Sequence, residues 1–226
     1  MVYVDTVYQR VLTIANKEQR GYITPLEFNL LANQAQLDIF EGYFVEIAQA
    51  TTVPGNETEY SDITKTLNEK ISLFKTHAHL IKSGSFFLHP INMHKLGTVW
   101  YSETGIQYGV ELQEINYDEL IDINKSPLTY PTQTYPIYIR REEGLKVFPT
   151  GGWSNNKIIA SYIKKPEKVE WGYVVTNEQA LYNASASDNF ELHPSEEIVL
   201  VAKILGLAGI TIQKQDLMAV EQQQQA

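Results

Sequence analysis

The stretch from Thr24 to Ala50 carries the strongest helix signal in the chain. Thr24 can cap the helix, Pro25 suits its first position, and Glu27 has the spacing that completes a capping box. The apolar residues of this helix fall on two stripes, namely Phe28, Leu31, Ala32, Ala35, Ile39 and Tyr43, and then Leu26, Leu30, Leu37, Phe40, Phe44 and Ala48. A helix with two apolar stripes packs between neighbours, which are helices of the same chain, another subunit, or both.

The composition excludes several classes of protein. The chain has 226 residues and a net charge of −9, so no basic surface indicates specific nucleic-acid binding. The absence of cysteine excludes disulfides and thiolate metal sites. The most apolar run, Ile198–Ile212, is too short to span a membrane and contains Lys203. These features predict a soluble protein whose acidity serves solubility or a surface that DNA passes without adhering.

Helical and strand patterns alternate along the chain. Apolar residues recur every three or four positions in Val2–Ala15 and Ser61–Thr76, which predicts two further helices. A short capped helix is predicted at Asn116–Ile123, and Gly144 can take the positive φ of a hairpin turn. Short aromatic and β-branched runs predict strands at Phe86–Leu88, Thr98–Tyr101, Gln107–Leu112, Ile137–Arg141, Leu145–Phe148, Lys157–Ile163 and Val169–Val175.

The predicted fold class is α+β. N- and C-terminal helices are expected to form a helical bundle, with a central antiparallel β insertion that makes a small sheet or an open barrel. The predicted parts are an N-terminal helical part at 1–80, a β-rich insertion at 81–180, and a C-terminal helix and tail at 181–226 that rejoin the bundle.

The last helix is apolar almost all round. It follows Pro194, runs through Ile198–Ala208, and ends at Gly209, which suits a left-handed C-terminal cap. Such a helix is expected to be fully buried, either in the bundle or between subunits. The residues predicted to carry subunit packing are Phe28, Ile39, Tyr43, Phe40, Phe44 and Leu205.

Two metal-site hypotheses arise from the sequence. Asn16–Glu27 has the glycine, isoleucine and glutamate offsets of an EF-hand loop, but Asn16 and Arg20 stand at liganding positions and Glu27 is explained by the capping box. The pattern therefore favours a helix–turn–helix without metal. The histidines also lack cysteine or carboxylate companions, which argues against zinc; they are His77, His79, His89, His94 and His193. No phosphate loop, nucleophile elbow or HExxH motif is present, so we expect no cofactor and no enzyme activity.

Three stretches resemble one family. Asn16–Phe44 contains NKEQ, ITP, EFN, NQAQ, DIFE and YF; Tyr162–Trp171 contains KKP and Trp; Phe190–Ile210 contains FELHPSEE and LAGI. With these in order, the chain resembles virion neck proteins of tailed bacteriophages, like those of marine and crAss-like phages. Its layout also looks like that of the tail-tubular adaptors of short-tailed phages.

The resemblance implies a head–tail connector, an adaptor or ring protein docked under the portal. It implies a homo-oligomeric ring, twelvefold to match the portal, with the portal protein and downstream ring or tail proteins as partners. Double-stranded DNA would pass through the lumen without sequence-specific binding, and no membrane would be involved. The protein would lie in the virion neck or tail after assembly in the host cytoplasm. The alternatives are a degenerate EF-hand-like binding module, a tail-tube component, and an enzyme with an unfamiliar site.

The C-terminal tail is a candidate partner-binding segment. Gln215–Ala226 is polar apart from Leu217, Met218, Val220 and neighbouring alanines, and such a segment buries too little apolar surface to order itself. The three apolar residues are expected to anchor the tail in a groove of the portal or the adjacent ring. The alternative is a frayed terminus without a role.

The calcium hypothesis has a direct test. Because the guanidinium of Arg20 stands at a liganding position, millimolar calcium should leave the melting temperature unchanged. Thermal denaturation with calcium and with a chelator measures this. A clear rise in melting temperature with calcium would restore the EF-hand reading.

Overall fold

The computed structural model describes residues 1–17, 23–52, 57–102, 109–176 and 179–209. These residues form five α-helices: α1 (Val4–Lys17), α2 (Pro25–Thr52), α3 (Glu57–Ser72), α4 (Tyr117–Lys125) and α5 (Glu197–Leu207). They also form ten strands: β1 (Lys75–His79), β2 (Lys82–Ser83), β3 (Phe86–Phe87), β4 (Met93–Tyr101), β5 (Val110–Glu114), β6 (Ile137–Arg141), β7 (Gly144–Phe148), β8 (Ile158–Lys164), β9 (Tyr173–Thr176) and β10 (Gln179–Tyr182).

The described chain divides into two compact units. The helical unit comprises Met1–Leu73 and the described residues from Pro166 onwards, and the sheet unit comprises Phe74–Lys165. The two ends of the sheet unit lie side by side, because β1 pairs antiparallel with β8 and the Lys164 amide donates to the Phe74 carbonyl oxygen at 2.9 Å. The sheet unit is thus an insertion whose entry and exit strands are neighbours.

The sheet unit is built on one curled, mixed sheet with the strand order β1-β8-β4-β5-β6-β7-β3-β2. Most pairs are antiparallel, but β5 and β6 run parallel and α4 lies in the connection between them, since a parallel pair needs a crossover. The described residues of the sheet unit bury two apolar clusters. The larger is formed by Leu80, Phe87, Val99, Leu112, Tyr138, Leu145, Val147, Trp153, Ile158 and Ala160. The smaller is formed by Ile115, Ile137 and Ile139, with Leu120 and Ile123 of α4 packed against it.

The predicted architecture was wrong. A helical bundle with a small antiparallel β insertion at 81–180 was expected, whereas the chain is a sheet-rich α+β protein with an eight-stranded curled sheet. Strand β1 was not predicted: its first two residues fell at the end of the predicted helix Ser61–Thr76, and its sequence lacks the hydrophobic alternation of a strand. The parallel pairing of β5 with β6 was not predicted either, because strand patterns do not specify the direction of pairing.

The start of α2 confirms the predicted capping box. The Thr24 amide donates to the Glu27 carboxylate at 2.9 Å, and the Glu27 amide donates to the Thr24 hydroxyl oxygen at 3.3 Å. The bonds that the Thr24 amide and the Thr24 hydroxyl donate to the Glu27 carboxylate hold the pKa of Glu27 below its usual value. The predicted hairpin is also confirmed, since Gly144 has a φ of 145° and a Cβ there would collide with the Phe87 carbonyl oxygen.

The two apolar stripes of α2 differ in burial. The first stripe is buried in the helical unit, apart from a half-buried Leu31. In the second stripe Phe40 is buried and Phe44 half-buried, while the others are exposed, namely Leu26, Leu30, Leu37 and Ala48. Helix α2 is therefore packed within the chain on its first stripe and open along most of its second.

Helix α5 also has one buried side and one exposed side. Leu200, Val201, Ile204 and Leu205 are buried, but its outer side is exposed at Ile198, Val199 and Leu207. Within the chain α5 is therefore buried on one side only, because an apolar composition does not say how many neighbours a helix has, and its burial between subunits stays a prediction. The predicted cap is confirmed, since Gly209 has a φ of 72° directly after α5.

The two leucines near the end of α5 form a matched pair for a stability test. Leu205→Ala should cost about 2–5 kcal/mol of unfolding free energy, because the side chain is fully buried. Leu207→Ala, at a side chain that is 43% exposed, should cost well under half as much. Urea denaturation measures both, and equal losses would contradict the described burial.

Candidate assembly surface

Three side-chain amides on α2 hold an extended segment of the chain. The Asn29 and Asn33 side chains each bind one residue through both backbone groups: Trp171 at 2.8 and 3.3 Å, and Val169 at 2.9 and 2.8 Å. Gln36 donates to the Glu167 carbonyl oxygen at 2.7 Å and accepts from the Glu191 amide at 3.1 Å. We call Asn29, Asn33 and Gln36 the amide ladder.

The amide ladder works because two periods nearly match. Helical residues three or four positions apart lie on one face, separated by about 4.5–6 Å along the axis. Alternate residues of an extended segment point the same way and are about 6.5–6.8 Å apart. Residues 29, 33 and 36 can therefore meet residues 171, 169 and 167, so the helix supplies the hydrogen bonds that a neighbouring strand would supply.

Trp171 fastens the same segment to α1. Its indole Nε1 donates to the Asp5 carboxylate at 3.0 Å, and its ring centroid lies 4.3 Å from that of Tyr8. Tyr8 in turn packs against Phe28 at 4.7 Å between ring centroids. The indole, two helices and the extended segment thus form one continuous core.

A buried ion pair joins α3 to the start of α5. The Lys70 ammonium lies 2.6 Å from the Glu196 carboxylate, whose side chain is 7% exposed. Tyr43 of α2 lies beside them, with the Lys70 ammonium 5.7 Å from its ring centroid. Burial, together with the charges of Glu196 and Glu46, raises the pKa of Tyr43, so its hydroxyl stays neutral. These contacts fix the inner side of α2.

The outer side of α2 carries a ridge of exposed apolar side chains. Leu26, Leu30, Leu37 and Val45 are 66%, 67%, 40% and 55% exposed, and we call these four residues the α2 ridge. They lie within one sector of the helix, adjacent to the sector of the amide ladder. Because core packing and the amide ladder hold the other sectors, the ridge is presented on a rigid element.

An apolar groove runs between α1 and α5. It has a volume of about 370 Å³ and is lined by Gln9, Arg10, Thr13, Ile14, Ile198, Val201, Ala202 and Leu205. The Arg10 guanidinium lies 3.0 Å from the Glu197 carboxylate beside it. We call this feature the α1/α5 groove; its wall is aliphatic and its polar residues come from α1.

The β9–β10 hairpin is a third exposed apolar feature of the helical unit. Its two strands pair antiparallel in a sheet of their own. Trp171 packs against Tyr173 and Tyr182 at 5.8 Å between ring centroids. The larger aliphatic side chains of the hairpin are exposed, namely Val174, Val175 and Leu181.

The structure places most of the predicted packing residues inside the monomer. The buried ones are Phe28, Ile39, Tyr43, Phe40 and Leu205. Phe44 is half-buried and meets Phe40 edge-on at 5.1 Å. Leu217, Met218 and Val220 lie outside the described residues. Sequence reasoning assigned the α2 leucines to a stripe but not to a site, because periodicity shows which residues share a face and not which face is covered.

The described residues contain no group of three or more metal-ligating side chains. His77 and His79 lie on one exposed face of β1, as a strand requires. The Asn16–Glu27 loop falls partly outside the described ranges, and its Glu27 carboxylate is held by Thr24. None of the described helices combines the length and hydropathy of a transmembrane span.

The chain was compared with known protein families and with curated proteins. No protein-family model matches the chain, and a search of curated proteins found no significant match. The surfaces described above and the sequence resemblance are therefore the grounds for a functional proposal.

The amide ladder has its own test. Asn33→Leu removes both hydrogen bonds to buried Val169 and should cost about 2–4 kcal/mol of unfolding free energy, since two backbone groups lose their partners. Gln34→Leu, at the next residue, is the control, because Gln34 is exposed and bonds only within α2 to Asp38. Chemical denaturation measures the free energy of unfolding of both variants. A similar small loss of this free energy in each would show that the amide ladder contributes little to stability.

Proposed function

We propose that the chain is a structural subunit of a tailed-phage virion neck. It forms a ring that acts as a head–tail adaptor, joins the portal to the tail and surrounds the DNA passage. The observation that carries the proposal is the α2 ridge, a row of exposed aliphatic side chains on a helix fixed from its other sides. The resemblance of Asn16–Phe44, Tyr162–Trp171 and Phe190–Ile210 to neck proteins supplies the biological setting.

The ridge favours a permanent protein partner on energetic grounds. Complete burial of a fully exposed leucine or valine contributes about 1.5–3 kcal/mol. Because roughly half of each ridge side chain is still exposed, the four together offer several kcal/mol before the costs of association. A rigid helix loses little conformational entropy on binding, which reduces those costs. Exposed apolar rows of this kind mark interaction surfaces.

A closed ring needs two different surfaces on each subunit, because its contacts are head-to-tail. The helical unit offers the α2 ridge as one surface and the exposed side chains of the β9–β10 hairpin as the other. We propose that the ridge of one copy packs against the hairpin of the next. The net charge of −9 suits a lumen through which DNA slides, since like charges repel.

The alternatives differ in what they require. A tail-tube component would use the same ring contacts and differs in its position in the particle. An EF-hand-like module would need the Glu27 carboxylate as a ligand, but that carboxylate accepts hydrogen bonds from Thr24. The geometry around Glu27 therefore favours the structural proposal.

The test places a charge on the ridge. Leu30→Glu should leave the subunit folded, since Leu30 is 67% exposed, but should prevent ring formation because the interface would bury an unpaired carboxylate. Leu128→Glu, at a side chain that is 94% exposed in the sheet unit, is the matched control and should assemble normally. Native mass spectrometry, with purified portal present as a template, measures assembly.

Fractionation of infected cells provides the second readout. The unaltered protein and Leu128→Glu should enter virions, and Leu30→Glu should remain in the host cytosol. Absence of the unaltered protein from virions would contradict the neck assignment. Normal rings from Leu30→Glu would show that the ridge is not the ring contact.

A further inference from the structure

The α1/α5 groove lies beside the point where the described chain ends. Helix α5 forms one wall of the groove through Ile198, Val201, Ala202 and Leu205. Gly209, with a φ of 72°, follows that helix and redirects the backbone out of the helical path. The chain continues beyond it for 17 residues, 210–226, which we call the C-terminal segment.

The composition of the C-terminal segment is complementary to the lining of the groove. Its apolar residues, which match an aliphatic wall, are Ile210, Ile212, Leu217, Met218, Ala219, Val220 and Ala226. Its other residues are mostly glutamines, which can exchange hydrogen bonds with Gln9 and Thr13 on the α1 side.

The groove is within reach of the segment of the same chain. Along α5, Leu205 lies about 6 Å and Ile198 about 16 Å from Gly209, at roughly 1.5 Å per helical residue. The eight residues from Gly209 to Leu217 can extend to about 27 Å, so Leu217 can reach any part of the α5 wall. A short tether also gives an effective concentration on the order of millimolar, which favours the chain's own segment over that of another copy.

We propose that, in the free subunit, the C-terminal segment docks into the α1/α5 groove of its own chain, with Leu217 and Met218 as anchors. Docking covers the aliphatic wall and holds the anchors away from other partners until a competing surface displaces them. The inference rests on the groove, the position of Gly209 and the composition of the segment. It does not depend on the neck assignment, and a protein with another role would show the same docking.

The absence of native cysteine allows a direct test by thiol labelling. Thr13→Cys places a thiol at an exposed position in the groove, and Asn68→Cys places a control thiol at an exposed position on α3. Each is made in the full chain and in a chain that ends at Gly209, and labelling by a maleimide is followed by mass spectrometry. Ala202→Cys, on the opposite wall, repeats the measurement in case Thr13→Cys folds poorly.

The full chain should protect the groove thiol and leave the control thiol unprotected. If the groove is occupied about nine tenths of the time, labelling of Thr13→Cys slows about tenfold relative to the shortened chain. Leu217→Asp with Met218→Asp should remove the protection, whereas Gln223→Asp with Gln224→Asp, which adds the same charge, should retain it. Protection must not vary with protein concentration, because the docking is intramolecular.

Two results would overturn the proposal. Equal labelling rates in the full and shortened chains, at both groove positions, would show that the groove is open. Protection that grows with protein concentration would show that another copy supplies the segment. Absence of the protein from virions would contradict the neck assignment but would not change these labelling rates, so the two proposals fail separately.

Discussion

The helical unit depends on the amide ladder of α2. Backbone groups in an extended segment must find hydrogen-bond partners when they are buried, and in residues 167–171 the only backbone pairing among the described residues is the antiparallel bridge between Glu170 and Asp188. On the side that faces α2, Asn29, Asn33 and Gln36 take that role, which brings Trp171 against α1 and Glu191 against α2. The ladder also joins the three motifs that prompted the resemblance, since each contributes residues to one core.

Local structure could be read from the sequence wherever a few adjacent residues decide it. The α2 capping box, the Gly144 turn and the Gly209 cap each depend on one or two side chains and a φ value, so spacing alone was sufficient. Helices with a regular apolar period were found for the same reason. Strand β1 was missed because its half-buried positions are Thr76 and Ala78, which carry little hydrophobic signal between exposed polar residues.

The surfaces could not be read in this way. Periodicity placed Leu26, Leu30 and Leu37 on one face of α2, but only the folded chain shows that this face is uncovered. The amide ladder was missed because asparagine and glutamine in a helix look like ordinary surface residues. Its signal was the spacing of residues 29, 33 and 36, which becomes meaningful once an extended partner with a matching repeat is known. Pairing across more than 100 residues is a property of the tertiary fold.

The insertion of the sheet unit into the helical unit fixes an order of completion during synthesis. The ribosome delivers α1, α2 and α3 first, but the segment that satisfies the amide ladder and the helix that lines α1 lie beyond Pro166. All strands of the large sheet are available once Lys165 has emerged, and its first and last strands are paired neighbours. The sheet unit therefore closes on the nascent chain before the helical unit can. In the interval the amphipathic N-terminal helices expose their apolar faces, which makes them the part of the nascent protein that chaperones have most reason to bind.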